Sequence, residues 1–358
     1  MTASTTATAA EQPLMAVTSP RRLIDRVLRM RELAILVVLA VMLVATQIDN
    51  TSFLSEQGIK DLLLNATILV LVAVGEAVVV ITGNVDLSVG SVLGVTAFAA
   101  GDLLRHGGNP VLAIGLAVLL GAGFGAFNGL LVGLGQVPSL VVTLGTLYII
   151  RALDSIWVGS REITASRLPS GYKTFGHDGL SAIPYLALLA TVVLIAVGYF
   201  LRNYRSGREC YALGSHAQAA SLAGIPVRRR VMAAFVLCGA LAGLAGALYL
   251  ARFSYADAGT GSGYELTVVS AVVVGGVGFT GGSGSVYGAA LGALLLTSIN
   301  SVLPAIGVSS VWVEAIDGVL LLLAISVDRI VALRIAGLLR SRARQIAADT
   351  ATDEGGQR

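Results

Sequence analysis

Apolar runs dominate this sequence and leave no stretch long enough to build a water-facing domain. Ten of them, at roughly 33–48, 62–82, 86–104, 110–134, 138–158, 182–201, 231–251, 265–280, 285–303 and 312–328, carry few charges. A helix of about 20 residues crosses roughly 30 Å of hydrocarbon. Helices are also the element that lets such short segments satisfy their backbone in lipid. Glycines interrupt 86–104 and 265–280, which read as half-helices or re-entrant segments. Only 13% of the residues are charged, about half of the roughly 25% of a soluble domain. The sequence therefore reads as an all-α membrane protein of about ten spans. Soluble enzymes, fibres and disordered chains are excluded.

Charge placement sets the orientation. Arg21, Arg22, Arg26, Arg29 and Arg31 lie before the first span, six arginines lie in the 202–230 loop, and six lie from Arg329 onward. The other face carries six: Lys60, Arg105, Arg161, Arg167, Lys173 and Arg252. Seventeen against six puts both termini and the 202–230 loop in the cytoplasm. The domain reading is a disordered basic tail over 1–32, a membrane domain over 33–328 and a cytoplasmic tail over 329–358. Neither lysine fits a Walker A loop: Lys60 precedes Asp61, and Tyr172 stands where the glycine before Lys173 should be. The chain thus lacks a standard ATP-binding loop. Gly281-Gly282-Ser283-Gly284 has the form of an intramembrane protease motif, but His106, His177 and His216 all fall in expected loops.

Four features carry mechanism. Gly121, Gly125, Gly129 and Gly133 recur every four residues, as do Gly284, Gly288 and Gly292. Lipid gives helices no hydrophobic drive to associate, so small residues that let backbones approach mark packing faces, within a subunit or between subunits. Thr82–Gly90 reads as a helix break, with Asn84, Asp86 and Ser88 either bracing backbone or facing solute. Glu76, Asn128, Glu265 and Asn300 complete the pathway candidates, and Glu76 has no evident partner nearby. Arg151 and Asp154 can pair on one helix face, while Glu314 and Asp317 fall near an outer helix end. Within 202–230, Ser215 and Gln218 fit a capping box, and Gly224 and Pro226 end the turn. A helix of about eight residues follows, with small alanines such as Ala220 that let another protein pack closely. Finally, Gly90-Ser91-Val92-Leu93-Gly94 echoes Gly284-Ser285-Val286-Tyr287-Gly288, and transporters are often built from repeats.

Four blocks now resemble one family. VITGNVDLSVGSVLG (80–94), NGLLVGLGQVPSLVVTLGTL (128–147), GRECYALGSHAQAASLAGIPV (207–227) and the segment 259–294 around Ser262-Gly263-Tyr264-Glu265 are similar to the signatures of permease subunits of ribose/xylose/arabinose-type sugar ABC importers. The resemblance runs over about 55–328. It implies a type II ABC importer permease fold with about ten helices, set in the bacterial inner membrane as a multi-pass protein. It also implies a cytoplasmic ATPase that binds ATP and Mg, a second permease subunit (a copy or a paralogue) and an extracytoplasmic sugar-binding protein. No cofactor in this chain, no enzyme activity and no nucleic-acid partner are expected. The family's ATPase-coupling segment carries over onto Gly207, Arg208, Tyr211, Ala212, Leu213, Gly214 and Gly224, with His216 in place of the usual asparagine. The membrane signature carries over onto Gly83, Asp86, Leu87, Ser88 and Gly90. The expected cargo is a monosaccharide, a pentose or deoxyhexose. Autoinducer-type furanosyl signals, branched-chain amino acids and a self-sufficient secondary transporter are the alternatives.

Overall fold

The computed structural model describes residues 20–309 and isolated positions between 312 and 330. The expected span 312–328, Glu314, Asp317 and both tail ends fall outside the continuously described part. The helices are α1 (Pro20–Asp49), α2 (Glu56–Ile81), α3 (Val89–Arg105), α4 (Pro110–Gly133), α5 (Ser139–Val158), α6 (Ser170–His177), α7 (Tyr185–Asn203), α8 (Arg205–Ser215), α9 (Ala217–Leu222), α10 (Val227–Phe253), α11 (Tyr264–Val274) and α12 (Val286–Ala305). A two-residue hairpin, β1 (Gly179–Leu180) with β2 (Ile183–Pro184), precedes α7.

Among the described residues, seven helices are long and apolar enough to cross a membrane: α1 from Glu32, α2, α4, α5, α7, α10 and α12. The two glycine-interrupted segments are the short ones. α3 has 17 residues and α11 only 11. The expected span 265–280 thus contracts to a half-helix, because the chain turns at Gly275-Gly276 and runs on without regular structure to Ser285. At the other end, α1 begins at Pro20. The arginine-bearing stretch 21–31, expected as disordered tail, is helix continuous with the span.

Local chemistry sets several helix starts. Ser55 accepts from the Gly58 amide (3.2 Å) and Asn109 from the Val111 amide (2.8 Å), with Pro110 opening α4. Such caps satisfy amides that have no intrahelical partner. Arg252 of α10 pairs with Asp61 of α2 at 2.8 Å.

The core lies between α2, α3, α10 and α12. From Ala66 to Ile81 only Val70 of α2 is not fully buried, and Ile68, Leu71, Leu93, Phe235 and Leu248 fill the centre. α4 lies along α10 through its four glycines. A Cβ on Gly121 would sit 2.2 Å from the Gly239 carbonyl oxygen, and one on Gly125 2.2 Å from that of Phe235. Gly129 and Gly133 meet Met232 and Arg228 in the same way. This stripe therefore packs inside the subunit. Gly288 and Gly292 bring α12 onto α11, against Gly275 and Ala271. Gly284 does not belong to that face: it precedes the helix at φ +106°. The five-residue echo is also out of register, since Ser285 caps α12 whereas Ser91 lies within α3. α5 leaves Val141, Tyr148, Ile149 and Ile156 exposed, and α7 leaves Val192, Ile195 and Tyr199 exposed.

Candidate functional site: a short helix seated on two helix breaks

α8 is anchored along its length. Its buried face carries Gly207, Glu209, Cys210 and Leu213. A Cβ on Gly207 would stand 2.5 Å from the Leu201 Cα, so glycine is what lets α8 fold back against the end of α7. Glu209 takes Arg205 Nε on Oε1 (2.8 Å) and Arg230 Nε on Oε2 (2.7 Å), tying α8 to the start of α10. Arg230 first, then Arg205, holds this carboxyl below the ordinary carboxylate range against the opposing effect of burial. Burial raises the Cys210 thiol and pushes the Tyr211 phenol up to about 12. That hydroxyl donates to the Gly284 carbonyl at 3.2 Å, linking α8 to the chain between α11 and α12.

The far end of α8 meets both helix breaks at once. A Cβ on Gly214 would lie 2.0 Å from the Ile81 carbonyl oxygen and 2.5 Å from the Gly282 amide nitrogen. A Cβ on Gly281 would lie 2.7 Å from the Gly83 Cα, and one on Gly282 2.7 Å from the Ser215 nitrogen. The Gly282 amide donates to the Ile81 carbonyl at 2.9 Å. Three backbone segments thus touch without side chains: the end of α2, the link before α12, and the end of α8. Such contact is stiff, because no rotamer can absorb a displacement.

α9 projects beyond this junction. Expected as a helix over 215–224, it is shorter, with six residues. The Ser215–Gln218 capping box is not formed: Ser215 ends α8 and donates to the Tyr211 carbonyl (2.9 Å). His216 is the cap instead, its Nδ1 accepting from the Ala219 amide at 3.3 Å. The imidazole thereby takes over a capping role suited to asparagine. Gly224, at φ +77°, closes the helix, and the Ile225 amide returns to the Ala220 carbonyl at 3.0 Å. Ala220 faces inward, whereas Leu222 is 91% exposed. The apolar knob available to another protein is therefore Leu222, which the sequence reading missed. Arg208 and Ala212 are exposed, and Leu213 is buried.

The α2–α3 break is braced from within. Glu76 Oε1 accepts the Asp86 amide (3.0 Å), and its Oε2 faces the Cys238 thiol (3.6 Å). Asp86 Oδ1 accepts the Ser88 amide (2.9 Å) and hydroxyl (2.6 Å). Asn128 donates to Ser88 Oγ (2.9 Å) and reaches Asp86 Oδ1 at 3.4 Å. All five side chains are buried. Glu76, Asp86, Ser88 and Asn128, expected as pathway candidates, are thus turned toward one another in a buried cluster. The partner Glu76 lacked in sequence comes from 10 and 162 residues away. Asp86 braces the turn ahead of α3, since the residue preceding the helix is Ser88. Asn84 folds over its own turn, donating to Thr82 Oγ1 at 3.1 Å, and stays half-buried.

The loop 254–263 dips back onto α3. A Cβ on Gly90 would meet Glu265 Oε2 at 2.3 Å, and one on Gly94 the Thr260 carbonyl oxygen at 2.2 Å. The two glycines of the α3 signature therefore exist to seat the loop carried by the 259–294 block. Arg151 does not pair with Asp154 by hydrogen bond. It donates to the Thr260 carbonyl (2.8 Å) and stands 4.0 Å from Glu265 Oε2. Asn300 lies apart from both clusters, in a recess of about 230 Å³ with Asn65, Tyr264, Thr267, Thr297 and Ser301.

Residues 58–325 match the family described as "Branched-chain amino acid transport system / permease component". The chain is 36% identical over 302 residues to the autoinducer 2 import system permease protein of Enterobacter sp. (strain 638), covering 84% of this chain and 87% of the relative. It is 32% identical over 296 residues to the ribose import permease protein of Escherichia coli (strain K12), covering 82% and 92%. The ribose import permease protein of Bacillus subtilis (strain 168) is 33% identical over 291 residues, covering 81% and 90%. No solved structure matches the chain.

Proposed function

The chain belongs to the family of branched-chain amino acid transport system permease components, and from that premise we propose that it forms the sugar path of an ABC importer, opened and closed through the junction at Gly214. The observation that carries this is the seating of one short helix, α8, on two helix breaks by backbone contact alone. A partner ATPase supplies ATP and Mg, because the sequence offers no loop to hold them. Its closure presses on α9 at Leu222. The push travels along α8, which Glu209, Gly207 and Tyr211 keep from tilting freely, and reaches Ile81 and Gly282 together. Differential contact in two packings of these breaks is what shifts the population between inward and outward states.

The cargo is a monosaccharide or a furanosyl signal of similar size, delivered by an extracytoplasmic binding protein. The named cargoes of the relatives, ribose and autoinducer 2, support that class. The wording of the family description keeps branched-chain amino acids as a second reading. A second permease subunit covers the apolar faces of α5. Asn84, Glu265 and Asn300, which keep partial exposure, are the residues assigned to solute contact. Glu76, Asp86, Ser88 and Asn128 hold the break.

The test is uptake into proteoliposomes containing this chain with its ATPase and binding protein. Labelled ribose accumulates with ATP and not without it. Accumulation by the chain alone under an ion gradient would overturn the reading in favour of a secondary transporter.

A further inference from the structure

Two hollows share Tyr287 on the face where α7 packs against α2 and α12. The first, about 370 Å³, is lined by Leu63, Val70, Ala190, Leu194, Leu291 and Leu294 among others. Its two threonines are spent on their own helices, Thr67 on the Leu63 carbonyl and Thr191 on that of Ala187, both at 2.8 Å. Neither threonine therefore offers the groove a free hydroxyl proton. Tyr287 lies at its end and also lines the second hollow, about 360 Å³, with Arg202, Arg208, Tyr211 and Ser285. Gly198 makes that junction possible: a Cβ there would stand 2.4 Å from Tyr287 Cζ.

The second hollow is basic. Arg205 and Arg230 are committed to Glu209, and the Ser285 hydroxyl to Glu32. Among the described residues neither Arg202 nor Arg208 has a carboxylate partner, and Arg208 donates to the Asn203 carbonyl at 2.9 Å. Both arginines are exposed. From Ala187 to Arg202 the helix rises about 22 Å, enough to span one leaflet of about 15 Å and reach its headgroups. An apolar groove at bilayer depth, ending at the cytoplasmic boundary in two arginines without a carboxylate partner among the described residues, matches one kind of molecule in both chemistry and length.

We propose that this groove holds an anionic glycerophospholipid of the cytoplasmic leaflet, with its phosphate on Arg202 and Arg208 and one acyl chain along α7. Basic pockets between helices on the cytoplasmic side recognise anionic headgroups in this way. The placement rests on the cytoplasmic orientation of the α7 C-terminus and is independent of the sugar reading. Because Tyr211 and Arg208 belong to α8, the lipid touches the coupling helix itself.

The test is native mass spectrometry of the delipidated full chain in detergent, with phosphatidylglycerol, phosphatidylcholine or glycerol phosphate added. Phosphatidylglycerol is retained over phosphatidylcholine. Arg202→Gln weakens that retention about fivefold, the effect of one basic residue near an anionic surface. Thr191→Trp, at an exposed groove position, removes it, and Arg229→Gln leaves it unchanged. Melting temperatures measured in parallel show that the variants are folded. Equal retention of the two lipids, no retention of either, or wild-type retention in both groove variants would overturn the proposal. Binding of glycerol phosphate as strong as that of phosphatidylglycerol would also overturn it, and would mark a site for a free anion.

Discussion

Gly214→Ala is the sharpest perturbation of the coupling junction. The added methyl would sit 2.0 Å from the Ile81 carbonyl oxygen and 2.5 Å from the Gly282 nitrogen. An ordinary carbon–oxygen contact needs more than a further ångström, so backbone must move by about 1 Å. Overpacking of this kind costs about 1–3 kcal/mol. Part of the movement falls on the Gly282–Ile81 hydrogen bond, whose net contribution is about 1 kcal/mol. α8 itself tolerates alanine, so the damage is confined to the junction. Uptake per ATP hydrolysed should fall at least tenfold in the reconstituted importer, while ATPase association stays at the wild-type level. Gly115→Ala is the control, because nothing lies within 4 Å of its added Cβ. Wild-type uptake per ATP in Gly214→Ala, with an unchanged melting temperature, would refute the reasoning.

Leu222→Asp, at the 91% exposed tip of α9, should weaken ATPase association at least tenfold without lowering the melting temperature, as co-purification and melting curves would show. Ala220→Trp should instead displace α9 and destabilise the protein, since Ala220 is buried. Asp86→Ala strands the Ser88 amide and the Ser88 hydroxyl as buried donors, so it should cost about 1–3 kcal/mol for an unsatisfied group and leave cargo preference unchanged in competition uptake. Gly121→Ala, set against the Gly239 carbonyl at 2.2 Å, should lower the melting temperature and leave the oligomeric state in light scattering as it was. Arg230 and Arg205 depress the Glu209 carboxyl. A depressed acid adds stability above its unfolded pKa, and that contribution is lost as pH falls through the folded value. Melting should therefore show no change from this group between pH 7 and about pH 5, and a loss below the ordinary carboxylate range that Glu209→Gln abolishes.

Much of the fold was legible because lipid enforces it. A run of about 20 apolar residues has few alternatives to a helix, and glycine interruptions marked the two short helices. The face of Gly121 and Gly125 was visible, but not its partner, because α10 answers with Gly239 and Gly243 in a different part of the chain. The site was less legible, since its contacts are tertiary. Arg151 looked to Asp154 three residues on, yet it bonds the Thr260 carbonyl 109 residues away. Local spacing favours helix pairs, but a re-entrant loop presents carbonyls that helices do not. Ser215 looked like a cap because of its spacing from Gln218. The chain instead continues α8 through Ser215 and leaves the cap to His216, a residue rarely read as one. The junction itself left a trace only as glycines in three separate blocks, each of which could have been a plain turn.

Hydrogen–deuterium exchange on the reconstituted importer addresses the central claim most directly, because the Gly282 amide is itself the bond that joins the two breaks. Exchange is followed with the ATPase held in its ATP-bound and nucleotide-free states. The account predicts that protection of α9 and exchange at Gly282 and Gly83 change together, and that Gly214→Ala abolishes the change at the two breaks while α9 still becomes protected. Protection of α9 with no change at Gly282 and Gly83 in the wild-type protein would contradict it.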